Sequence, residues 1–298
     1  MVLYVILLLY SDIAKFSRSV LEIDYRIIPA ILALSSLSLF LLAIRFHRLV
    51  RALGIKISFR KSILIYFSGL SFGVTPGGAG TIIKSHIIKK EYGDAISKTA
   101  PIIFIEKWNE LNSVLVIIAI TILLASITEA KIILVIGVIF SLSFLAIIRN
   151  NTIFSLFKKV MIRFRFFKYE EMIENSQNTF RILTGVKITC EGLLITTIAK
   201  IIEAFTAYLA FKALKIQIDF IFSTQVFFTS ILSGVLTFIP GGFVVTEASM
   251  TGLFVKYGID FTTAAIAVIF ARLVTIWYAT ILGLITSRFI IKRKPGIE

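Results

Sequence analysis

The sequence is poor in the residues from which most catalytic and metal sites are built. Its 298 residues include one cysteine, Cys190, and two histidines, His47 and His86. A single cysteine excludes an internal disulfide and a cysteine metal cluster. Two histidines leave little material for a histidine metal site, and His47 lies in a basic stretch where solvation is the ordinary fate. Acid is scarce too: 17 Asp and Glu stand against 32 Lys and Arg, for a net charge of +15. There is no long polar stretch and no P-loop, so these residues hold no nucleotide-binding domain, and ATP-driven transport by this chain alone is excluded. No metal or other cofactor is implied.

What the chain does have is apolar length. Hydrophobic residues make up 57% and charged residues only 16%, and the mean hydropathy is +0.93. Soluble domains do not have this composition. The runs Ile27–Ile44, Leu111–Ile127 and Ile132–Ile148 carry no charge. Each is about long enough to span a bilayer once a few flanking residues are added. The chain therefore reads as an all-α polytopic membrane protein, a single transmembrane domain over 1–298. Val2–Tyr10 is apolar but too short to span, and reads as a shortened or tilted first helix.

The basic residues cluster, as the positive-inside rule requires. The stretch Arg45–Lys61 holds six Lys or Arg and no acid, Arg149–Lys187 holds eight against three Glu, and Arg288–Lys294 holds four. These regions (45–61, 149–187 and the C-terminus) are expected in the cytoplasm, where they can also meet anionic lipid headgroups. Within 149–185, Phe154, Phe157, Ile162 and Phe166 interleave with Lys158, Lys159, Arg163 and Arg165, as in a basic amphipathic segment lying on the membrane. A nucleic-acid partner is not expected in such surroundings. Membrane lipids with anionic headgroups are the expected partners, and assembly as a homo-oligomer is compatible with the sequence.

Two segments break their own helices in matching ways. Thr75-Pro76-Gly77-Gly78-Ala79-Gly80 is followed by Tyr92-Gly93 and then Glu106-Lys107; Pro240-Gly241-Gly242 is followed by Tyr257-Gly258 and then Arg272. Proline lacks the amide proton and glycine relaxes the backbone. Broken backbone at membrane depth survives only where protein or a polar cavity surrounds it. Taking the basic regions as inside requires an odd number of crossings both between Lys61 and Lys131 and between Asp219 and Arg288. The simplest solution is a re-entrant pair followed by one full helix in each half. The first half (1–148) then carries a re-entrant motif over 62–90, and the second (186–298) one over 221–257. The halves run in opposite directions, an inverted repeat of the kind found in secondary transporters. The competing reading is a pair of ordinary surface turns.

Charge inside the membrane is costly and marks candidate sites. Arg272 lies near the middle of Phe261–Ser287, and Glu247 is its natural acidic partner. The first half offers Lys84, Glu106, Lys107 and Glu110. Glu106 and Glu110 share a helix face, and Lys107 can pair with Glu110. These residues equally suit an interfacial helix end. Lys200 and Glu203 read as a mutually neutralised pair. Half-helix N-termini bind anions, so Thr75, Pro76, Gly77, Gly78, Gly80, Lys84, Glu106, Lys107, Glu110, Pro240, Gly241, Gly242, Glu247 and Arg272 are the expected binding residues for a phosphate-like headgroup. No residue is assigned a catalytic role.

At these residues the sequence resembles the lysylphosphatidylglycerol synthase transmembrane region, also called the flippase-like domain family. The segment Thr75–Gly80 with Lys84 and Glu106-Lys107 looks like its first signature. Pro240-Gly241-Gly242, Thr246-Glu247-Ala248 and Ala271-Arg272-Leu273 look like its second. Thr81 stands where the family usually has Glu, Lys84 and Lys107 where Arg is usual, and Val244 where Gly is usual; Glu106, Glu247 and Arg272 match. The resemblance implies a stand-alone flippase or scramblase for a phosphate-bearing or anionic lipid, such as a polyprenyl phosphate, phospholipid or glycolipid. Two alternatives stay open. One is an integral-membrane transferase with Glu106 or Glu247 as general base; the other is a membrane subunit of a lipid or glycan synthesis complex.

Overall fold

The computed structural model describes residues 21–72, 82–124, 127–156, 170–237, 242 and 244–291. All regular structure among them is helical. In chain order the helices are α1 (Ile28–Ala52), α2 (Phe59–Leu70), α3 (Ile83–Tyr92), α4 (Ile96–Leu124), α5 (Thr128–Arg149), α6 (Glu170–Leu183), α7 (Val186–Ala213), α8 (Phe220–Leu236), α9 (Val245–Lys256), α10 (Phe261–Arg272) and α11 (Tyr278–Ile291). A π turn, Leu273–Trp277, joins α10 to α11 without a break. Among the described residues five segments are long and apolar enough to cross a membrane: α1, α4, α5, α7 and Phe261–Ile290. The chain is thus a multi-pass membrane protein. Helices α2 and α9 have 12 residues each and α3 has 10, well short of the ~20 that a span needs.

The helix ends follow from local chemistry. Pro29 begins α1, where its missing amide proton is no loss. Ser58 caps α2, Asp219 caps α8 and Asp260 caps α10, each side chain accepting from a first-turn amide. The paired Tyr-Gly dipeptides are helix stops. Gly93 follows α3 at φ 76° and Gly258 follows α9 at φ 93°, a left-handed geometry that glycine adopts freely. Pro101 lies inside α4 and cannot donate to the carbonyl of Ser97. The Ser176 hydroxyl on α6 donates to that carbonyl instead, at 3.1 Å.

Two expected boundaries move. Helix α1 does not end at Ile44. It runs on to Ala52, so Arg45 is a helical residue and the basic stretch 45–61 is mostly helix. Nothing stops the helix before Gly54, and Leu42, Phe46, Leu49 and Val50 keep one face buried through the basic residues. Helix α4 begins at Ile96, well before Leu111, which places Glu106, Lys107 and Glu110 in the interior of a 29-residue helix. Of the basic segment 149–185, α6 is described and packs on α4 and α5, with Phe180 meeting the rings of Phe104 and Phe144. Its portion 157–169, like Val2–Tyr10, lies outside the described residues.

The longest helix contact is α1 against α7. Ala199, Ala204, Ala207, Ala210 and Ala213 are buried on α7, and small side chains let membrane helices approach closely. Ser38 on α1 donates to the Ala199 carbonyl at 3.0 Å, and Ser35 donates to the Val274 carbonyl in the π turn at 2.7 Å. Elsewhere α2 packs on α11 and α8 packs on α4. Gly283 makes the α2–α11 contact possible, because a Cβ there would lie 2.3 Å from the Ser71 amide nitrogen. Helix α5 keeps Ile132, Val135, Ile139 and Leu142 more than half exposed, as suits a face turned to lipid.

Candidate functional site

Two sets of charged side chains are buried among these helices. The first is carried by α1, α3 and α4. Lys84 near the start of α3 donates to Oε2 of Glu106 on α4. Arg45 on α1 reaches the other oxygen of Glu106 at 3.4 Å, Oε1 of Glu110 at 3.2 Å and the Glu106 carbonyl at 3.3 Å. Its Nη1 also donates to the Thr196 hydroxyl on α7 at 3.0 Å. Arg45, Lys84 and Glu106 are each under 5% exposed. The Lys84 ammonium sits 4.9 Å from the Phe46 ring and 5.2 Å from the Tyr66 ring, both with π faces that attract a cation. Gly69 leaves room for the lysine stem, since a Cβ there would lie 2.7 Å from Lys84 Cγ.

Lys107 pairs with Glu110 at 2.9 Å but is largely exposed. Lys200 and Glu203 pair at 2.6 Å within α7, the mutual neutralisation expected of that spacing. In the first set Arg45, Lys84 and Lys107 face Glu106 and Glu110. Cations outnumber acids by one.

The second set lies on α9 and α10. Arg272 Nε donates to Glu247 Oε1 at 2.7 Å; Glu247 is fully buried and Arg272 is 5% exposed. Thr246, beside Glu247, is wedged against two glycines. A Cβ on Gly234 would lie 2.1 Å from the Thr246 hydroxyl, and one on Gly242 would lie 2.7 Å from it. Gly242 also has φ +65°, so both geometry and space favour glycine there.

The structure thus brings Lys84, Glu106, Lys107 and Glu110 into one network and Glu247 with Arg272 into another. Thr75, Pro76, Gly77, Gly78, Gly80, Pro240 and Gly241 lie outside the described residues. Among the described residues no group of three or more His, Cys, Asp or Glu side chains could hold a metal ion. Arg45 is the member that sequence reading missed. Its charge groups it with the basic stretch 45–61 expected in the cytoplasm, although the apolar period through Leu42, Phe46 and Leu49 continues past it. The two nearby carboxylates on α4 also called for a buried cation beyond Lys84.

Fold and site together define a polytopic helical membrane protein that ties short and long helices with buried ion pairs. Residues 1–283 match the family described as lysylphosphatidylglycerol synthase TM region. The chain belongs to that family. It is similar to a UPF0104 membrane protein of Pyrococcus horikoshii, 23% identical over 308 aligned positions that cover 94% of this chain and 92% of the relative. It is also similar to a UPF0104 membrane protein of Methanothermobacter thermautotrophicus, 29% identical over 131 positions covering 40% of this chain and 39% of that one.

Proposed function

We propose that the protein is a lipid flippase or scramblase that moves a phosphate-bearing or anionic lipid across the membrane through an inverted pair of half-sites. The observation that carries this reading is the correspondence between the two buried ion pairs. In each half a long helix is followed by two short ones and then another long one: α1, α2, α3, α4 and α7, α8, α9, α10–α11. Each pair joins the start of the short helix after the Pro-Gly-Gly segment to the interior of the next long helix. The signs are exchanged. In the first half the short helix carries the cation, Lys84, and the long helix the acid, Glu106. In the second the short helix carries the acid, Glu247, and the long helix the cation, Arg272.

The packing supports the same relation. The first half's α2 lies on the second half's α11, the second half's α8 lies on the first half's α4, and α1 and α7 pair between them. Short helices on either side of a break fit re-entrant pairs, and paired breaks in two halves point to a transporter's binding site. The basic regions 45–61, 149–187 and the C-terminus would then face the cytoplasm of a cell membrane.

The chemistry follows from differential pairing. A buried carboxylate holds each cation in place, and a phosphate can compete for it with strong charge-assisted hydrogen bonds. The lipid chains need no pocket, since they can stay in the bilayer while the headgroup moves through the polar interior. Glu106 and Glu247 are each locked to a cation, which favours a binding role over general-base catalysis. Reconstitution in liposomes with fluorescent phospholipids and short-chain polyprenyl phosphates tests the reading. Faster transbilayer movement of at least one phosphate-bearing lipid is expected; no acceleration of any of them would overturn it.

A further inference from the structure

A separate cleft of about 390 Å³ opens between α1 and α7 at the strongly basic end of the molecule. Arg45, Arg48 and Arg51 line it from α1, and Lys187 and Glu191 line it from α7. The three arginines recur every third residue, so they lie along one side of their helix. Lys187 lies in the first turn of α7, whose N-cap, Gly185, has no side chain to satisfy the free amides. That helix end adds positive dipole to the positive side chains. Arg48, Arg51 and Lys187 form no ion pair among the described residues, and Glu191 is the one acid in the lining.

Solvated positive charge alone would not make a site. Two further observations point to a ligand. The Nε of Arg45 is buried without a hydrogen-bond partner, although the residue is only 1% exposed and lines the cleft. An arginine whose outer nitrogens are taken by Glu106, Glu110 and Thr196 still keeps one charged donor without a partner. Asn109, 1% exposed, has both amide atoms unpartnered and packs against Gly192 in the cleft wall, where a Cβ would lie 2.6 Å from its Nδ2. Buried polar atoms are normally paired, and exceptions call for a partner. Leu49 from α1 and Ile188 and Ile195 from α7 add apolar surface to the lining. Next to it Leu194 is 64% exposed on the surface of α7.

We infer that this cleft is a docking site for the phosphate monoester headgroup of a lipid, with the arginines and Lys187 on the phosphate and the apolar lining residues against the first carbons of the chain. Guanidinium groups suit phosphate because they offer paired donors in a fixed plane. The site differs from the two half-sites in every residue except Arg45. Docking here does not require that the protein move lipids.

The test uses the full chain in nanodiscs of neutral phosphatidylcholine, with farnesyl phosphate as probe and farnesol and inorganic phosphate as comparisons. Farnesyl phosphate should bind and farnesol should not. Arg48→Gln with Arg51→Gln should raise the dissociation constant about tenfold or more, the loss of roughly one strong charged contact. Both side chains are exposed, so the fold should survive. Lys187→Gln should act in the same direction. The pair Lys212→Gln and Lys215→Gln removes the same charge at the far end of α7, roughly 37 Å away at 1.5 Å per residue, and should leave binding unchanged.

Equal weakening by the two double variants, or none by Arg48→Gln with Arg51→Gln, would overturn the inference. Inorganic phosphate at equal concentration should not displace the probe. If it does, the occupant is the free anion and the assignment to a lipid fails. A protein that binds the probe through this cleft but accelerates no lipid movement keeps this inference and loses the transport reading.

Discussion

At the scale of residues, Arg272 and Glu247 concentrate the question of what buried charge does here. Glu247 is fully buried, and its carboxylate holds the guanidinium at 2.7 Å. Removing one partner of a buried pair leaves the other charge uncompensated, at a cost of about 3–5 kcal/mol. Arg272→Gln should therefore lower thermal stability sharply. Adding Glu247→Gln should restore most of it, because two neutral amides of similar shape can replace the pair. Transport should stay lost in the double variant if Arg272 also binds the headgroup. Recovery of both stability and transport would reduce the pair to a structural neutralisation. Arg272→Lys keeps the charge but not the planar fork, and should weaken transport more than stability.

Arg45 makes a second residue-scale prediction. It is the cation shared by Glu106 and Glu110 and is 1% exposed. Arg45→Gln leaves Glu106 with Lys84 and Glu110 with the exposed Lys107. Denaturation of the variant in detergent should show a loss of about 3–5 kcal/mol. A change below about 1 kcal/mol would mean that Lys84 and Lys107 suffice, and that the buried arginine serves something other than stability.

At the scale of elements, close backbone approach sets the packing of the short helices. A Cβ on Gly283 would strike the Ser71 nitrogen at 2.3 Å, the Leu70 carbonyl carbon at 2.8 Å and the Phe67 oxygen at 2.9 Å. All three are backbone atoms and cannot turn aside. Gly283→Ala should force α2 and α11 apart and destabilise the protein by about 1–3 kcal/mol, the usual cost of overpacking. Gly252, on α9, has nothing within 4 Å of such an atom, so Gly252→Ala should be neutral or slightly stabilising. Equal effects from the two variants would count against close packing at the α2–α11 seam.

The elements also show how much the sequence disclosed. Helix ends are written in local chemistry: the Tyr-Gly dipeptides stand at the ends of α3 and α9, and Pro29, Ser58, Asp219 and Asp260 stand at the starts of α1, α2, α8 and α10. The apolar run Ile132–Ile148 falls within α5. What stayed hidden was non-local. Arg45 finds Glu106 across 61 positions of sequence, and no local pattern announces that contact. The positive charges from Arg45 onward look like a loop when charge is weighed before apolar period. Helix α4 hid its start for the same reason, because Glu106, Lys107 and Glu110 resemble an interface until their partners on α1 and α3 are seen. The sequence pattern offers Glu247 as the partner of Arg272 but assigns none to Lys84, whose partner Glu106 lies 22 residues on.

Topology links the elements to the whole. With Cys190 replaced by Ser, single cysteines at Ser155 and Lys131 report the two ends of α5, a 22-residue helix long and apolar enough to cross. An impermeant thiol reagent added to intact cells should label Lys131→Cys, and Ser155→Cys only after the membrane is opened. Labelling of both from one side would rule out the inverted arrangement.

At the scale of the molecule, two half-sites with exchanged charge would present a cation from opposite structural positions: from a short helix in one half and a long helix in the other. A headgroup crossing the protein would meet Lys84 and Arg272 in turn, each held ready by a carboxylate. The most direct test of this account is a lipid-movement assay on liposomes containing the purified protein, with a fluorescent short-chain polyprenyl phosphate in both leaflets and an impermeant quencher outside. The account predicts that quenching proceeds past the outer-leaflet fraction with the native protein. It should stop at that fraction with the Glu247→Gln, Arg272→Gln double variant, provided that variant is shown to be folded. Quenching that stops at the outer leaflet for the native protein and for every phosphate-bearing lipid tried would contradict it.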